Sequence, residues 1–235
     1  MKSIVRIIVC SVFVVLPVLA AQQSAPKPTT AADAPNRDTS YIEANGTAHA
    51  TRVVPVPQTI SPEAQKSLSR QEPDQGPPQP LEQRRKMTDA YTARARVEWT
   101  KICPNTIVEE KMAGVPVHIV TPEGMPESNK DKVLLDIHGG GFNSDSGSFT
   151  ESIPIAGYTK IKVVAVLYRL SPEVKFPAAV DDSIAVYKEL LKTYEPKHIV
   201  IYGTSAGAIL TAEVAAKIKQ LGLPMPAALG IFSGM

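Results

Sequence analysis

Two glycine-containing motifs hold the residues whose types and spacing could do chemistry. In the first, Ser205 lies between Gly203 and Gly207, directly after the apolar run 199–202 and before a helical pattern. A strand that turns tightly into a helix holds its serine in a strained conformation, needs small neighbours and lifts the hydroxyl above the end of the strand. We therefore predict that Ser205 is a nucleophile and that the Ala206 N–H donates to an oxyanion. The alternative is a glycine-rich helix start in which the Ser205 side chain caps backbone N–H groups.

The second motif is His138 followed by Gly139, Gly140 and Gly141, and it comes directly after the apolar run 133–137. Consecutive glycines are costly in chain entropy, but they allow a backbone to approach a ligand closely with free N–H groups. Such a loop is the second half of an oxyanion hole. A phosphate-binding loop is excluded because no Gly-Lys-Ser/Thr follows. A plain flexible loop stays open as the alternative.

These motifs require strands and helices that alternate along the chain. Apolar runs typical of buried parallel strands occur at 115–120, 133–137, 163–168, 199–202 and 228–232. Helical spacing of apolar residues follows Pro177 and follows Ser205. The pattern predicts an α/β fold with a mostly parallel sheet and helices on both faces.

The amino-terminal third has a different organisation. Residues 1–20 are typical of a secretory signal peptide, and an uncleaved membrane anchor is the alternative. Residues 21–80 hold ten of the 21 prolines and predict a disordered linker. Residues 81–235 then form the folded domain, beginning with a helix over 81–99 whose arginine-rich face we expect to be solvated. The expected location is secreted or periplasmic, with no stable membrane insertion after signal cleavage.

Composition excludes several classes of function. Lys and Arg number 25 against 23 Asp and Glu, and residues 1–20 contain two of the basic residues, so the remainder is balanced at 23 against 23. A neutral chain gives no argument for nucleic acid as a partner and suits a small neutral substrate. Cys10 and Cys103 form no disulfide framework, and no Cys/His cluster predicts a metal site. We therefore expect no metal and no organic cofactor.

Four motifs in order resemble the hormone-sensitive-lipase-like esterases of the α/β-hydrolase fold. They are the HGGGF run at 138–142, YRLSPE at 168–173, FPAAVDD at 176–182 and the serine motif at 203–207. The resemblance covers about the last 130 residues and implies an α/β-hydrolase domain. It implies that Ser205 forms an acyl-enzyme with a small-molecule carboxylic ester while Gly140, Gly141 and Ala206 hold the oxyanion. The family usually has Asp where this chain has Thr204, and Ala where it has Ser171.

A catalytic base and its orienting acid are not found after the serine. In this fold the order is Ser, then Asp or Glu, then His. After Ser205 the sequence has no His and no Asp, and Glu213 falls inside the following helix. His138 is at the correct sheet edge and is the substitute base to consider, whereas His198 is expected at the opposite edge. The simplest interpretation is an incomplete hydrolase whose last strand is an exposed apolar edge.

Three readings of the function therefore stay open. The first is an ester hydrolase represented by its amino-terminal portion. The second is a catalytically inactive hydrolase scaffold that binds a ligand or a partner. In the third, another chain supplies the missing half. The sequence leaves open the acyl and alcohol groups of the substrate and the oligomeric state.

Overall fold

The structure is a computed structural model that describes residues 40–50, 55–70 and 78–234. The described residues fall into two compact units that divide between residues 74 and 75. The predicted signal peptide at 1–20 lies outside the described residues, as does much of the predicted linker. Both stay predictions.

The first unit contains short elements without a core. Strands β1 (Tyr41–Ile42) and β2 (Ala48–His49) form an antiparallel hairpin, and both are exposed. Helix α1 (Pro62–Leu68) starts at Ser61, whose hydroxyl accepts the Ala64 N–H, and it has no buried residue. These pieces interrupt the proline-rich stretch.

The second unit is built on one six-stranded sheet, and its elements follow one another along the chain. They are α2 (Leu81–Ile102), β3 (Asn105–Met112), β4 (Val115–Pro122), β5 (Val133–Ile137), α3 (Ser152–Thr159), β6 (Lys162–Val166), α4 (Ala178–Leu190), β7 (Ile199–Thr204), α5 (Ala206–Gln220) and β8 (Ala228–Phe232). Short 3-10 turns occur at Glu127–Asn129 and Pro196–His198. The strand order is β3-β4-β6-β5-β7-β8.

The sheet is mixed but mostly parallel. Strand β4 pairs antiparallel with β3 and with β6, whereas β6, β5, β7 and β8 pair parallel to one another. The sequence did not predict β3, because Glu109, Glu110 and Lys111 interrupt its apolar pattern. Charges at this position are compatible with an edge strand, where half of the backbone faces water.

Apolar side chains of the central strands alternate between the two faces of the sheet. Leu135, Ile137 and Ile201 belong to a core shared with α4 and α5. Leu134 and Tyr202 belong to a second core shared with α3 and the end of α2. The predicted burial on both faces is confirmed, and helices cover both sides of the sheet, as expected of continuous apolar runs in parallel strands.

Strand pairing brings the two predicted motifs together. Strands β5 and β7 are neighbours in parallel, with Ile137 opposite Gly203. Because parallel strands end at the same edge, the segments that follow these two residues meet there. Across the parts of the chain that the structure describes, no helix is long and apolar enough to cross a membrane.

Candidate active site

Ser205 occupies a sharp turn between β7 and α5. Its backbone has φ 56° and ψ −120°, a strained conformation for a residue with a Cβ, and its residue surface is exposed. The Ser205 N–H donates to the carbonyl of Phe232 at 2.9 Å, which ties the turn to β8. The hydroxyl makes no capping hydrogen bond to the helix. The helix-cap alternative is therefore wrong, and the side chain is left free at the sheet edge.

Gly203 and Gly207 are required because the turn packs against the end of β5. A Cβ on Gly203 would lie 2.5 Å from the Ile137 carbonyl oxygen, and one on Gly207 would lie 1.8 Å from it. Neither distance is compatible with a side chain. The small residues that the motif predicted are thus explained by close backbone packing between neighbouring strands.

The loop after β5 lies directly beside the serine. A Cβ on Gly139 would be 3.5 Å from the Ser205 Cβ and 2.9 Å from the Thr204 carbonyl oxygen. Gly140 and Gly141 both have positive φ, 121° and 61°, which glycine adopts without strain. Ala206 is the first residue of α5, so its N–H has no preceding helical turn to bond to. The structure thus brings all the predicted oxyanion residues to one edge.

The glycine loop is a hydrogen-bonded turn. The Gly140 carbonyl accepts the N–H of Asn143 at 3.2 Å, the N–H of Ser144 at 3.1 Å and the Ser144 hydroxyl at 3.0 Å. Among the described residues, no hydrogen bond uses the N–H of Gly140 or Gly141. The plain flexible loop is not what the structure shows, because the carbonyls are engaged while these two N–H groups are left available.

The buried side chain of His138 supports the glycine loop from the interior of the domain. Its ring is 1% exposed, stacks on Tyr168 with centroids 4.1 Å apart, and has Nδ1 2.7 Å from the Gly139 carbonyl oxygen. The Tyr168 hydroxyl donates to the His138 carbonyl at 2.8 Å. Burial raises the pKa of Tyr168, so its hydroxyl stays a donor. A ring held in this way is poorly placed to act as the substitute base.

Glu151 holds the start of the glycine loop, and the sequence analysis missed it. One of its carboxylate oxygens, Oε1, accepts the Gly139 N–H at 3.1 Å, whereas Oε2 is buried without a partner among the described residues. Burial raises the pKa of Glu151, and the bond from Gly139 opposes that shift. Its spacing from either motif gives no signal in the sequence.

Arg85 on α2 corrects the expectation of a solvated arginine face. Its side chain is 25% exposed and reaches the segments 142–144 and 171–173, where it bonds to two carbonyls and to Glu173. The neighbouring Arg84 is exposed, as predicted. The helical pattern could not identify which arginine is buried, because its partners lie 58 to 88 residues away.

The expected pair of Arg169 and Asp182 is confirmed. Asp182 is 7% exposed and accepts the Arg169 backbone N–H at 2.9 Å and its guanidinium at 2.9 Å. The pair fixes the turn after β6 to the first turns of α4. Its role is structural, because it binds the backbone of this turn.

The remaining titratable candidates belong to other parts of the described chain than the serine turn. His198 directly precedes β7 and lies 3.1 Å from Asp131. This end of β7 is at the sheet edge opposite the one that carries Ser205. His118 is buried in β4, and His49 lies in the β1–β2 hairpin. Glu213 lies within α5. In the described ranges, no group of three or more His, Cys, Asp or Glu could hold a metal ion, and Cys103 is a buried free thiol.

An apolar cavity of about 270 Å³ adjoins the glycine loop. Phe142, Val174, Phe176 and Leu210 supply much of its wall, and Glu213 also lines it. Phe142 directly follows the glycines and Leu210 lies one turn into α5, so the cavity is built by the same two elements as the motifs. It has the size and polarity of a pocket for part of a small ligand.

Residues 134–235 match a family model described as alpha/beta hydrolase fold. A putative acetyl-hydrolase, LipR, of Mycobacterium tuberculosis is 33% identical over 51% of this chain and 39% of its own. A kynurenine formamidase of Scheffersomyces stipitis is 34% identical over 41% of this chain and 39% of its own.

Solved structures agree with these relatives. A hormone-sensitive lipase from a metagenome library has a TM-score of 0.57 and 34% identity, covering 66% of this chain and 50% of that one. An esterase crystal structure has a TM-score of 0.62 and 28% identity, covering 79% of this chain and 60% of that one. The chain thus spans about 39% of these curated relatives and 50% to 60% of these structures. Its part from residue 134 onward has the α/β-hydrolase fold, and it is similar in sequence and structure to hormone-sensitive-lipase-like esterases.

Proposed function

We propose that this chain carries the nucleophile and the oxyanion hole of a serine carboxylic-ester hydrolase. The observation that carries the proposal is the exposed Ser205 at φ 56°, beside a loop in which the N–H groups of Gly140 and Gly141 have no partner among the described residues. The names of several relatives, such as acetyl-hydrolase and esterase, support an ester as the substrate. The small, mostly apolar cavity beside the loop, which Arg169, Lys175 and Glu213 also line, suits a small-molecule ester.

The reaction would follow acyl transfer through a covalent intermediate. The Ser205 Oγ attacks the ester carbonyl carbon and loses its proton to a base, and the carbonyl oxygen becomes an oxyanion. The N–H groups of Gly140, Gly141 and Ala206 stabilise that charge, an effect worth about 2.7–4 kcal/mol for one donor. Collapse expels the alcohol, which takes a proton, and water then hydrolyses the acyl-enzyme.

The base and its orienting acid are assigned to groups outside the described residues. After Ser205 the sequence has no His and no Asp, and His138 is engaged with Gly139 and Tyr168. A serine hydroxyl without a base is a weak nucleophile. A second candidate, a scaffold that binds a ligand or partner without turnover, is favoured by the contacts of the His138 ring with Gly139 and Tyr168, which keep it from acting as a base.

Hydrolysis of p-nitrophenyl acetate and butyrate by the purified 235-residue protein tests both candidates. We expect slow hydrolysis that Ser205→Ala abolishes, because the Ser205 hydroxyl beside the oxyanion donors would be the nucleophile toward these activated esters. The exposed Ser67 on α1 provides the matched control, and Ser67→Ala should leave the rate unchanged. Hydrolysis that does not depend on Ser205 would contradict the ester-hydrolase proposal and favour the scaffold. Rates above about 1 s⁻¹ would show that a base is present after all.

A further inference from the structure

We propose that Arg85 is a positioning residue through which α2 sets the geometry of the oxyanion loop. The inference rests on the proposed function for its catalytic consequence. The proposal is supported by the four hydrogen bonds of the partly buried Arg85 guanidinium. These bonds can be tested by measurements that do not require enzymatic activity.

Arg85 makes a fork to three groups on two loops. Its Nε donates to the Asn143 carbonyl at 2.5 Å, and Nη2 donates to the Ser171 carbonyl at 2.8 Å. Nη1 and Nη2 also donate to the two carboxylate oxygens of Glu173, at 2.6 and 2.8 Å. All three nitrogens are engaged. Only a planar guanidinium offers donors in this arrangement, so lysine cannot reproduce it.

The two loops that Arg85 joins are already bonded to each other at the oxyanion turn. The Ser171 N–H donates to the Phe142 carbonyl at 2.8 Å. Phe142 directly follows Gly141 and has φ 63°, which is strained for a residue with a Cβ. Asn143, whose carbonyl binds Arg85, closes the turn by donating to Gly140. Arg85 thus fixes the turn at Asn143, and the glycines that precede Asn143 carry the proposed oxyanion donors.

The anchor is needed because α2 is otherwise weakly attached near this end. Thr92 is the one buried residue of the helix. Its carboxyl-terminal half is held by Trp99 in the core and by Arg96, which lies over the Phe149 ring at 4.6 Å. In the first two turns of α2, Arg85 is the side chain with hydrogen bonds to a distant part of the described chain. Displacing this end of α2 would release the loop.

The ion pair between Arg85 and Glu173 is present over the working pH range. The hydrogen bonds from Arg85 lower the pKa of Glu173 to about 2. The ion pair is therefore present above the ordinary carboxyl pKa and is lost only as the pH falls toward about 2. The two carbonyl contacts do not titrate at all. A positional effect of Arg85 should then be independent of pH between 5 and 9, unlike an effect on a titrating catalytic group.

Hydrogen exchange measured by mass spectrometry on the full chain is the first arm of the test. In Arg85→Ala, the amides of Asn143, Ser144 and Ser171 should exchange at least about tenfold faster, because the charge-assisted hydrogen bonds that hold the Asn143 and Ser171 carbonyls are lost. Arg85→Lys should behave nearly as Arg85→Ala, whereas Glu173→Gln should be intermediate because both carbonyl contacts remain. Arg84→Ala, one residue away and exposed, is the matched control and should exchange as wild type.

Ester hydrolysis by the same variants is the second arm. Loss of Arg85 should lower kcat about tenfold or more with KM changed less than about twofold, with an unaltered pH profile, because donors move relative to the transition state. Unchanged hydrogen exchange at 142–144 would overturn the proposal that Arg85 fixes the oxyanion loop. Faster exchange spread equally over β5 and β7 would show a merely structural role, and so would local exchange with unchanged kcat. If neither the wild type nor any variant shows Ser205-dependent hydrolysis, the proposed function fails, and the catalytic role of Arg85 fails with it. Hydrogen exchange alone then decides whether Arg85 fixes the oxyanion loop.

Discussion

At the scale of single residues, the serine turn depends on glycines more than on the serine. Ser205 tolerates its own strained φ because the surrounding backbone fixes it, from Phe232 on one side and α5 on the other. Gly207 is the tighter constraint, since its Cα faces the Ile137 carbonyl. A packing conflict of this kind is absolute, whereas a helix propensity amounts to about 1 kcal/mol.

Gly207→Ala should therefore destabilise the protein although alanine is the better helix former. The added Cβ would lie 1.8 Å from the Ile137 oxygen, so β5 and α5 must separate. We expect a loss of about 2–3 kcal/mol or more in the free energy of unfolding, measured in urea. Gly222→Ala is the control, because Gly222 has φ 65° with open space around it and should lose only about 1 kcal/mol. Equal losses would contradict the steric explanation.

Asp136 is the other residue whose environment is unusual. It is 0% exposed in β5, and neither of its carboxylate oxygens has a partner among the described residues. Its neighbours in register, Ala165 and Tyr202, continue a row that reaches His118 in β4. The Tyr202 hydroxyl and His118 Nδ1 are also unpartnered in the same described set. Burial, followed by the charge of Glu151, raises the pKa of Asp136 well above its usual value.

This carboxyl predicts a pH-dependent stability. Below about pH 3.9 the Asp136 carboxyl is protonated in both the unfolded and the folded state. Its effect on the free energy of unfolding is then most favourable. As the pH rises, the unfolded chain ionises first, so the wild type loses up to about 1.4 kcal/mol per pH unit until the buried group ionises. Asp136→Asn should remove that loss. Urea unfolding of both proteins at pH 4.5, 6 and 7.5 measures it, and a difference that does not grow with pH would contradict the prediction.

At the scale of elements, the two edges of the sheet differ in how they are protected. Strand β3 carries Glu109, Glu110 and Lys111 at one edge. Strand β8 at the other edge has the sequence ALGIF, and Ile231 is 52% exposed. An apolar edge without charges is a template for pairing with further strands. The exposed apolar edge that the sequence analysis expected is therefore present in the described chain.

Ile231→Lys should reduce self-association of the 235-residue protein. A charge on the β8 edge opposes strand pairing, and a half-exposed position limits the stability change to about 1 kcal/mol. Light scattering against protein concentration measures the effect. Val108→Lys on β3, where Val108 is 49% exposed, is the control and should change little because that edge is already charged. An equal response of both variants would contradict the edge interpretation.

At the scale of the whole molecule, the folded core lies entirely in the second unit. Both apolar clusters are formed by residues from Trp99 onward. The described elements of the first unit, β1, β2 and α1, contain no buried residue. The domain boundaries at 20 and 80 that the sequence predicts are therefore best tested by cutting the chain.

A chain of residues 75–235 should fold by itself. Its sheet, its helices and both apolar clusters are complete without the first unit, and domains with their own core fold alone. Thermal unfolding followed by circular dichroism should be cooperative, with a midpoint within about 4 °C of the full chain, equivalent to less than 1 kcal/mol. A non-cooperative transition would show that residues before 75 belong to the domain.

The sequence by itself determined the serine turn, the glycine loop and the sheet class. These features are local, since a strand, a turn and a helix follow one another within about ten residues, and apolar periodicity reports burial directly. Even the small residues at 203 and 207 were predictable from the turn alone. The structure places Ser205 at the tight turn between β7 and α5 that the sequence predicted, and its role as nucleophile stays a prediction.

Only the tertiary structure decided which distant groups support that chemistry. Arg85 reaches its partners across 58 to 88 residues, and Glu151 accepts the Gly139 N–H from 12 residues away. The strand order and the antiparallel β3 at its edge were likewise not readable from periodicity. The physical reason is the same in each case. The order in which strands pair and the reach of a single arginine depend on distant contacts that no local pattern of apolar residues encodes.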